Sequence, residues 1–195
     1  MTVRKAIQSL AEDGIIVQRQ GSGSFIAPEK EQMEQKLSRL TSFSEDMARR
    51  GKTAKSRWLE RGLFMPSPDE MTSLGLSPDD SVARITRLRL ADDAPIAIER
   101  ASLPTDILPN PLTVEKSLYE TLEQDGHRPV RALQKISAVN LSETDANLLH
   151  VDAGDAGLRI ERISYLATGR VAEFTQSTYR GDTYNFVAEL RLSNE

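Results

Sequence analysis

The chain repeats itself once. Leu74-Gly-Leu-Ser-Pro-Asp-Asp-Ser-Val-Ala-Arg-Ile-Thr-Arg and Leu149-His-Val-Asp-Ala-Gly-Asp-Ala-Gly-Leu-Arg-Ile-Glu-Arg align without a gap at an offset of 75 residues. Identities fall at Leu74/Leu149, Asp80/Asp155, Arg84/Arg159, Ile85/Ile160 and Arg87/Arg162, and continue at Ala97/Ala172 and Ser102/Ser177. Each copy reads as a short helix followed by two extended runs joined by a turn. The turns are Ala91-Asp92-Asp93-Ala94 and Ala167-Thr168-Gly169-Arg170. Two such units can pair into one antiparallel sheet about a pseudo-twofold axis. Two copies are too few for a solenoid.

Two helix starts stand apart from the hairpins. Ser42-Phe-Ser-Glu45 is a capping box, in which the serine caps the helix and the glutamate reaches back three residues. Ser117-Leu-Tyr-Glu120 is a second one, and Gly51 and Gly126 stop the two helices. The pattern predicts an α+β domain, an antiparallel sheet with helices on one side.

Composition adds boundaries. A length of 195 residues fits one mid-sized domain and a small appendage. Hydrophobic content of 38% and charged content of 28% suit a globular protein. No apolar run is long enough for a membrane span, and no signal peptide is visible, so no membrane partner is expected. Cysteine is absent, which excludes disulfides, thiolate catalysis and cysteine-based metal sites and fits a cytoplasmic setting. A net charge of −4 gives no general attraction for nucleic acid or membrane.

The first residues form a separate pattern. Val3, Ala6, Ile7 and Leu10 sit at helical spacing, and Asp13-Gly14 ends that helix. Ile15-Ile-Val17, Gly21-Ser-Gly23 and Ser24-Phe-Ile26 follow as strand, turn and strand. A polar helix face can enter a major groove, and a Gly-tipped hairpin can reach phosphates. An ordinary αββ piece reads the same way. Residues 1–36 hold five Lys/Arg and five Asp/Glu, so charge does not decide between the two. Residues 28–36 read as a linker, with only a thin apolar pattern for a helix late in it. The main domain is then 37–195.

Candidate chemistry is binding rather than catalysis. The predicted helix N-termini at Ser42–Ser44 and Ser117 are capable of holding an anion, although caps commonly do no more than cap. Arg87 and Arg89 share one face of a predicted strand, and paired guanidinium forks suit phosphate or carboxylate. Glu173, Thr175, Ser177 and Tyr179 line one face of the last long strand, a row that suits sugar hydroxyls, an amide or water. His127 and His150 lie beside turns and lack spaced carboxylates, so no catalytic residue and no metal site are expected. No nucleophile-elbow or phosphate-loop pattern occurs.

Residues 2–25 resemble the end of the winged helix of GntR-family bacterial repressors. Thr2, Val3, Arg4, Ala6, Leu10, Gly14, Ile16, Arg19, Gly21, Gly23 and Phe25 carry the likeness. In that family two helices precede this segment. The resemblance implies that residues 1–27 are a partial winged helix-turn-helix, a recognition helix and wing. Thr2, Arg4 and Gly21 then become candidate contacts to operator DNA when the winged helix is complete.

Residues from about 37 to 192 resemble the UTRA effector domain of the HutC subfamily of those regulators. The likeness rests on Ser42-Phe-Ser-Glu-Asp-Met47, Arg87-Leu-Arg89, Pro95-Ile-Ala-Ile-Glu99, Ser117-Leu-Tyr119, Glu161-Arg162 and Gly181-Asp-Thr-Tyr-Asn-Phe186. The chain departs from it at His150, where glycine is common, and at Asp92-Asp93, where Asp-Gly is common. The resemblance implies a chorismate-lyase-like fold that senses a small metabolite rather than turning one over. Its nearest likeness is to members sensing phosphorylated amino sugars. Carried over, Ser44, Arg87 and Ser117 would hold phosphate, with Arg89 and Tyr119 close by, while Glu173 and Tyr179 would meet the sugar. A homodimer acting on twofold operators is implied, and no cofactor. A lyase-like enzyme and a stand-alone metabolite-binding or dimerisation module are the rival readings.

Overall fold

The computed structural model describes residues 3–12, 16–19, 23–26, 33–36 and 40–188. The chain divides into two compact units, residues 1–31 and 32–195.

The first unit holds a helix, α1 (Val3–Glu12), and a hairpin of β1 (Ile16–Arg19) and β2 (Gly23–Ile26). The two strands pair antiparallel, with Ile16 opposite Ile26. The expected helix and two strands are present in that order, and the expected turn at Gly21-Ser22 lies outside the described residues. Thr2 and Gly21 lie outside the described residues; Arg4 lies within α1.

The second unit is built on six antiparallel strands. They are β4 (Ala54–Phe64), β5 (Val82–Ala91), β6 (Ala94–Pro104), β7 (Arg131–Asn140), β8 (Ala156–Tyr165) and β9 (Val171–Arg180). Their order in the sheet is β4-β5-β6-β9-β8-β7, so the two hairpins of the repeat meet at β6 and β9. This is the pseudo-twofold arrangement the internal repeat predicts.

The ungapped register of the repeat holds on one strand of each hairpin and slips on the other. Arg87 lies opposite Glu99, whereas its counterpart Arg162 lies opposite Thr175. The first turn is tight, with Ala91 paired to Ala94; the second is longer, with Tyr165 paired to Val171. The extra turn residue moves the equivalence on β6 and β9 to an offset of 76, the separation of Glu99 and Thr175. Ala97/Ala172 and Ser102/Ser177 are therefore not equivalent positions; Ala97 corresponds to Glu173 and Ser102 to Thr178.

Four α-helices cover the sheet: α2 (Phe43–Arg49), α3 (Pro68–Leu74), α4 (Leu118–Gln124) and α5 (Glu143–Leu149). They do not lie on one side, as the sequence predicts. Leu118, Tyr119 and Leu122 of α4 pack with Ala83 and Ile85 of β5, and Phe43 and Met47 of α2 with Ala91. Leu74 of α3 packs with Val82, and Ala146 and Leu149 of α5 with Leu88. Odd and even residues of β5 point to opposite faces, so α2 and α4 cover one face and α3 and α5 the other. The reason is written in β5 itself: Val82 and Leu88 on one face and Ala83 and Ile85 on the other are apolar and buried, and each face must be covered.

Both serine caps form where the sequence places them, but only the first is a full capping box, because Glu120 does not reach back to the Ser117 N–H. Ser42 accepts the Glu45 N–H at 3.2 Å while Glu45 accepts the Ser42 N–H at 3.0 Å, a complete capping box. Ser117 accepts the Glu120 N–H at 3.4 Å. His150 ends α5 in the left-handed conformation, at φ 57°, which a glycine would adopt with less strain.

The expected linker contains a strand. β3 (Met33–Lys36) pairs in parallel with β10 (Tyr184–Val187), Met33 opposite Tyr184. Its partner lies some 150 residues away in the sequence, so local composition shows only a polar stretch. Among the described residues no helix is long and apolar enough to cross a membrane.

Candidate effector cleft

Between α2, α4 and the sheet lies a narrow cleft with about 30 Å3 of enclosed space, open to solvent at its mouth. Its lining comes from Ser42 and Phe43, from Arg87, Arg89 and Glu99 on β5 and β6, from Ser117, Leu118 and Tyr119, and from Arg162, Glu173 and Thr175 on β8 and β9. The repeat supplies these residues in pairs. Ser42/Ser117, Phe43/Leu118 and Arg87/Arg162 are each 75 apart, and Glu99/Thr175 is the equivalent pair across the slipped register. The duplication thus reaches back to the two capping serines.

The site is built around charges taken out of water. Arg87 and Arg89 are each only 2% exposed. Arg87 donates to Glu99 from Nη2, and Arg89 Nε lies 3.9 Å from Glu99 Oε2. Arg89 also donates to Ser56 Oγ at 2.6 Å and stacks over Phe43 at 4.4 Å. Burial alone would raise the Glu99 carboxyl, but Arg87 and Arg89 overcome it and hold the group at about 2. Burial and the neighbouring Arg87 lower Arg89 to about 10.

Opposite them, Glu173 is held by hydroxyls. Tyr119 OH donates to Glu173 Oε2 at 3.0 Å, and Ser164 Oγ donates to the same oxygen at 2.9 Å. Burial first, and the Glu173 charge second, push the Tyr119 phenol upward, so it stays protonated and donates. Arg162 Nε is held by Gln134 Oε1 at 2.8 Å.

Several buried donors have no hydrogen-bond partner: Arg87 Nε and Nη1, Arg89 Nε and the Thr175 hydroxyl. Such groups are expensive to leave unmet, and guanidinium most of all. Ser42 and Ser117 accept a backbone N–H each, which leaves their own O–H to donate. Three guanidinium groups face two carboxylates, so the cleft is net positive by one charge. Its chemistry is that of an anion site with a hydrogen-bonding end.

Of the residues predicted from sequence, Arg87, Arg89, Ser117, Tyr119 and Glu173 come together here. Ser44 is one residue inside α2 and half-buried, and it is not on the lining; Ser42 and Phe43 are. Tyr179 is buried behind the wall, its ring 4.4 Å from that of Tyr184. Burial raises its phenol to about 12. Thr175 joins the lining from the row that suits sugar hydroxyls, whereas Glu99 and Arg162 have no ligand role readable from their own stretch of sequence. The repeat already marks Arg162 as the counterpart of Arg87. Among the described residues no cluster of His, Asp or Glu is placed to hold a metal ion.

Comparison with known proteins places this geometry. The family model described as the UTRA domain matches residues 49–185. The HTH-type transcriptional repressor NagR of Bacillus subtilis is 37% identical over 190 residues, covering 96% of this chain and 77% of that protein. The mannosyl-D-glycerate transport/metabolism system repressor MngR of Escherichia coli is 28% identical, covering 95% and 78%. The crystal structure of PhnF from Mycobacterium smegmatis shares the fold with a TM-score of 0.77 at 24% identity, covering 98% of this chain and 84% of that one. NagR and MngR are named as repressors, which sets the lyase reading aside. Duplicated sheet, paired caps and matching model agree: the chain belongs to the UTRA-domain transcriptional regulators of the GntR type, repressor-like proteins rather than enzymes.

Proposed function

We propose that the cleft binds a phosphorylated amino sugar and that its occupancy controls binding of operator DNA by a homodimer of the regulator. The observation that carries the reading is the set of buried, partnerless guanidinium N–H groups of Arg87 and Arg89 in the cleft wall. A phosphoryl group presents several acceptors in the geometry those forks require. Ser42 and Ser117 add hydroxyl donors. Thr175, Arg162 and Glu173 then face the sugar, with Glu173 suited to an ammonium or hydroxyl. A relative named for a mannosyl-D-glycerate system supports a carbohydrate bearing an acid. Thr2, Arg4 and Gly21 are the proposed DNA contacts. Control follows by linkage, since the effector shifts the equilibrium only by its differential affinity for the two states.

Thermal unfolding against glucosamine 6-phosphate, N-acetylglucosamine 6-phosphate, the unphosphorylated sugars, urocanate and inorganic phosphate tests this. A ligand at a hundred times its dissociation constant adds about 2.7 kcal/mol. We expect a rise in midpoint with a phosphosugar, absent in Arg87→Ala. Silence from both phosphosugars with a response to urocanate would keep the regulator and discard the phosphate site.

A further inference from the structure

Asp46 and Tyr184 are not part of the cleft wall, yet they join it to β3, the first strand of the second unit in sequence. We propose that the buried Asp46–Tyr184 hydrogen bond transmits occupancy of the cleft to β3. The inference rests on the effector reading given above and assigns its route of regulation.

The helix α2 has seven residues, about 10 Å of length, too short to bend within itself. Phe43 at its start lines the cleft beneath the Arg89 guanidinium. One turn later Asp46 Oδ2 accepts the Tyr184 hydroxyl at 2.7 Å. Arg50 grips both Asp46 oxygens at 3.0 Å and lies over the Tyr184 ring at 5.6 Å. Tyr184 is 1% exposed, so water does not replace that bond when α2 moves.

Tyr184 opens β10 and stands opposite Met33, whose N–H donates to Thr183 O at 2.8 Å. Met33 shares a core with Phe43, Met47, Tyr179 and Tyr184. It lies two residues after Glu31, where the first unit ends. A shift of α2 toward a bound anion must therefore carry Tyr184 and the β3–β10 ladder with it, or break a buried bond to a carboxylate. The other half of the repeat lacks this device. Thr121 occupies the position of Asp46 on α4, and its hydroxyl turns back to Ser117 O.

Amide hydrogen exchange at β3 and β10 tests the route, with binding followed by calorimetry. In the wild-type chain, saturating glucosamine 6-phosphate should change exchange there by about tenfold. Tyr184→Phe should still bind the ligand but lose that ligand-linked change. Asp46→Asn, which keeps an acceptor for Tyr184, should retain it; loss in that variant would refute the hydrogen bond as the carrier. An equal ligand-linked change in wild type and Tyr184→Phe, or none in wild type despite binding, also overturns the inference.

Calorimetric silence would sink the effector reading itself, and a ligand-free comparison then decides. Ser42→Ala removes the cap of α2 and should speed β3–β10 exchange by about fivefold. It should do so with Tyr184 present and not in the Tyr184→Phe background. The same acceleration in both, or in neither, refutes the coupling.

Discussion

Replacing Glu99 by glutamine tests whether the cleft is organised by charge. The carboxylate is the resident counter-ion of Arg87 and Arg89, each 2% exposed. Its fall from 4.5 to about 2 corresponds to roughly 3 kcal/mol of stabilisation. Removing one partner of a buried ion pair costs about 3–5 kcal/mol in general, the same range. Because the folded-state value is depressed, this stability is fully present above 4.5 and is lost as pH falls toward 2. Urea unfolding of wild type and Glu99→Gln at pH 7 should therefore differ by about 3 kcal/mol, and the gap should shrink on titration to pH 2.5. Inorganic phosphate should stabilise the variant more than the wild type, because an anion then fills the vacated role. A gap below about 1 kcal/mol at pH 7, or one unchanged by acid, would refute the charge argument.

Two further outcomes follow from sites away from the cleft. Glu70→Ala strips Arg84 of its partner and removes acceptors from Ser102 Oγ and the Ser67 N–H. Urea unfolding should show a loss of about 3 kcal/mol or more, and a change under 1 would contradict it. His150→Gly relieves a left-handed residue at the end of α5, and calorimetric melting should rise by a few degrees, about 1 kcal/mol; a fall would show that the His150 side chain contributes more than its backbone strain costs.

Much of this fold is legible from the chain because its signals are local or repeated. The capping residues Ser42 and Ser117, the glycines that stop α2 and α4, and the two hairpins all announce themselves within a few residues. The symmetry of the sheet follows from the offset between Arg87 and Arg162. What the letters do not carry is set at long range. A bulge between Arg89 and Leu90 shifts β6 by one residue and puts Glu99 opposite Arg87; without it Arg87 would face Ile98. The strand Met33–Lys36 exists only through Tyr184–Val187. The placing of helices on both faces was readable in principle, since Val82, Leu88 and Leu90 are as apolar as Ala83 and Ile85. Tyr179 shows the converse: alternation along β9 gives its strand face, but Tyr184 and Phe186 cover it.

The duplicated cleft has a consequence for the orientation of whatever enters it. Two identical halves would present one ligand with two indistinguishable poses, related by half a turn. Half the population would then press on α2 and half on α4, and no direction of motion would be favoured. Divergence at two equivalent pairs, Arg89 against Ser164 and Ala97 against Glu173, removes that degeneracy. The phosphate-seeking end and the hydroxyl-seeking end of the cleft become different places. Broken symmetry of this kind is what allows a scalar event, binding, to become a vector.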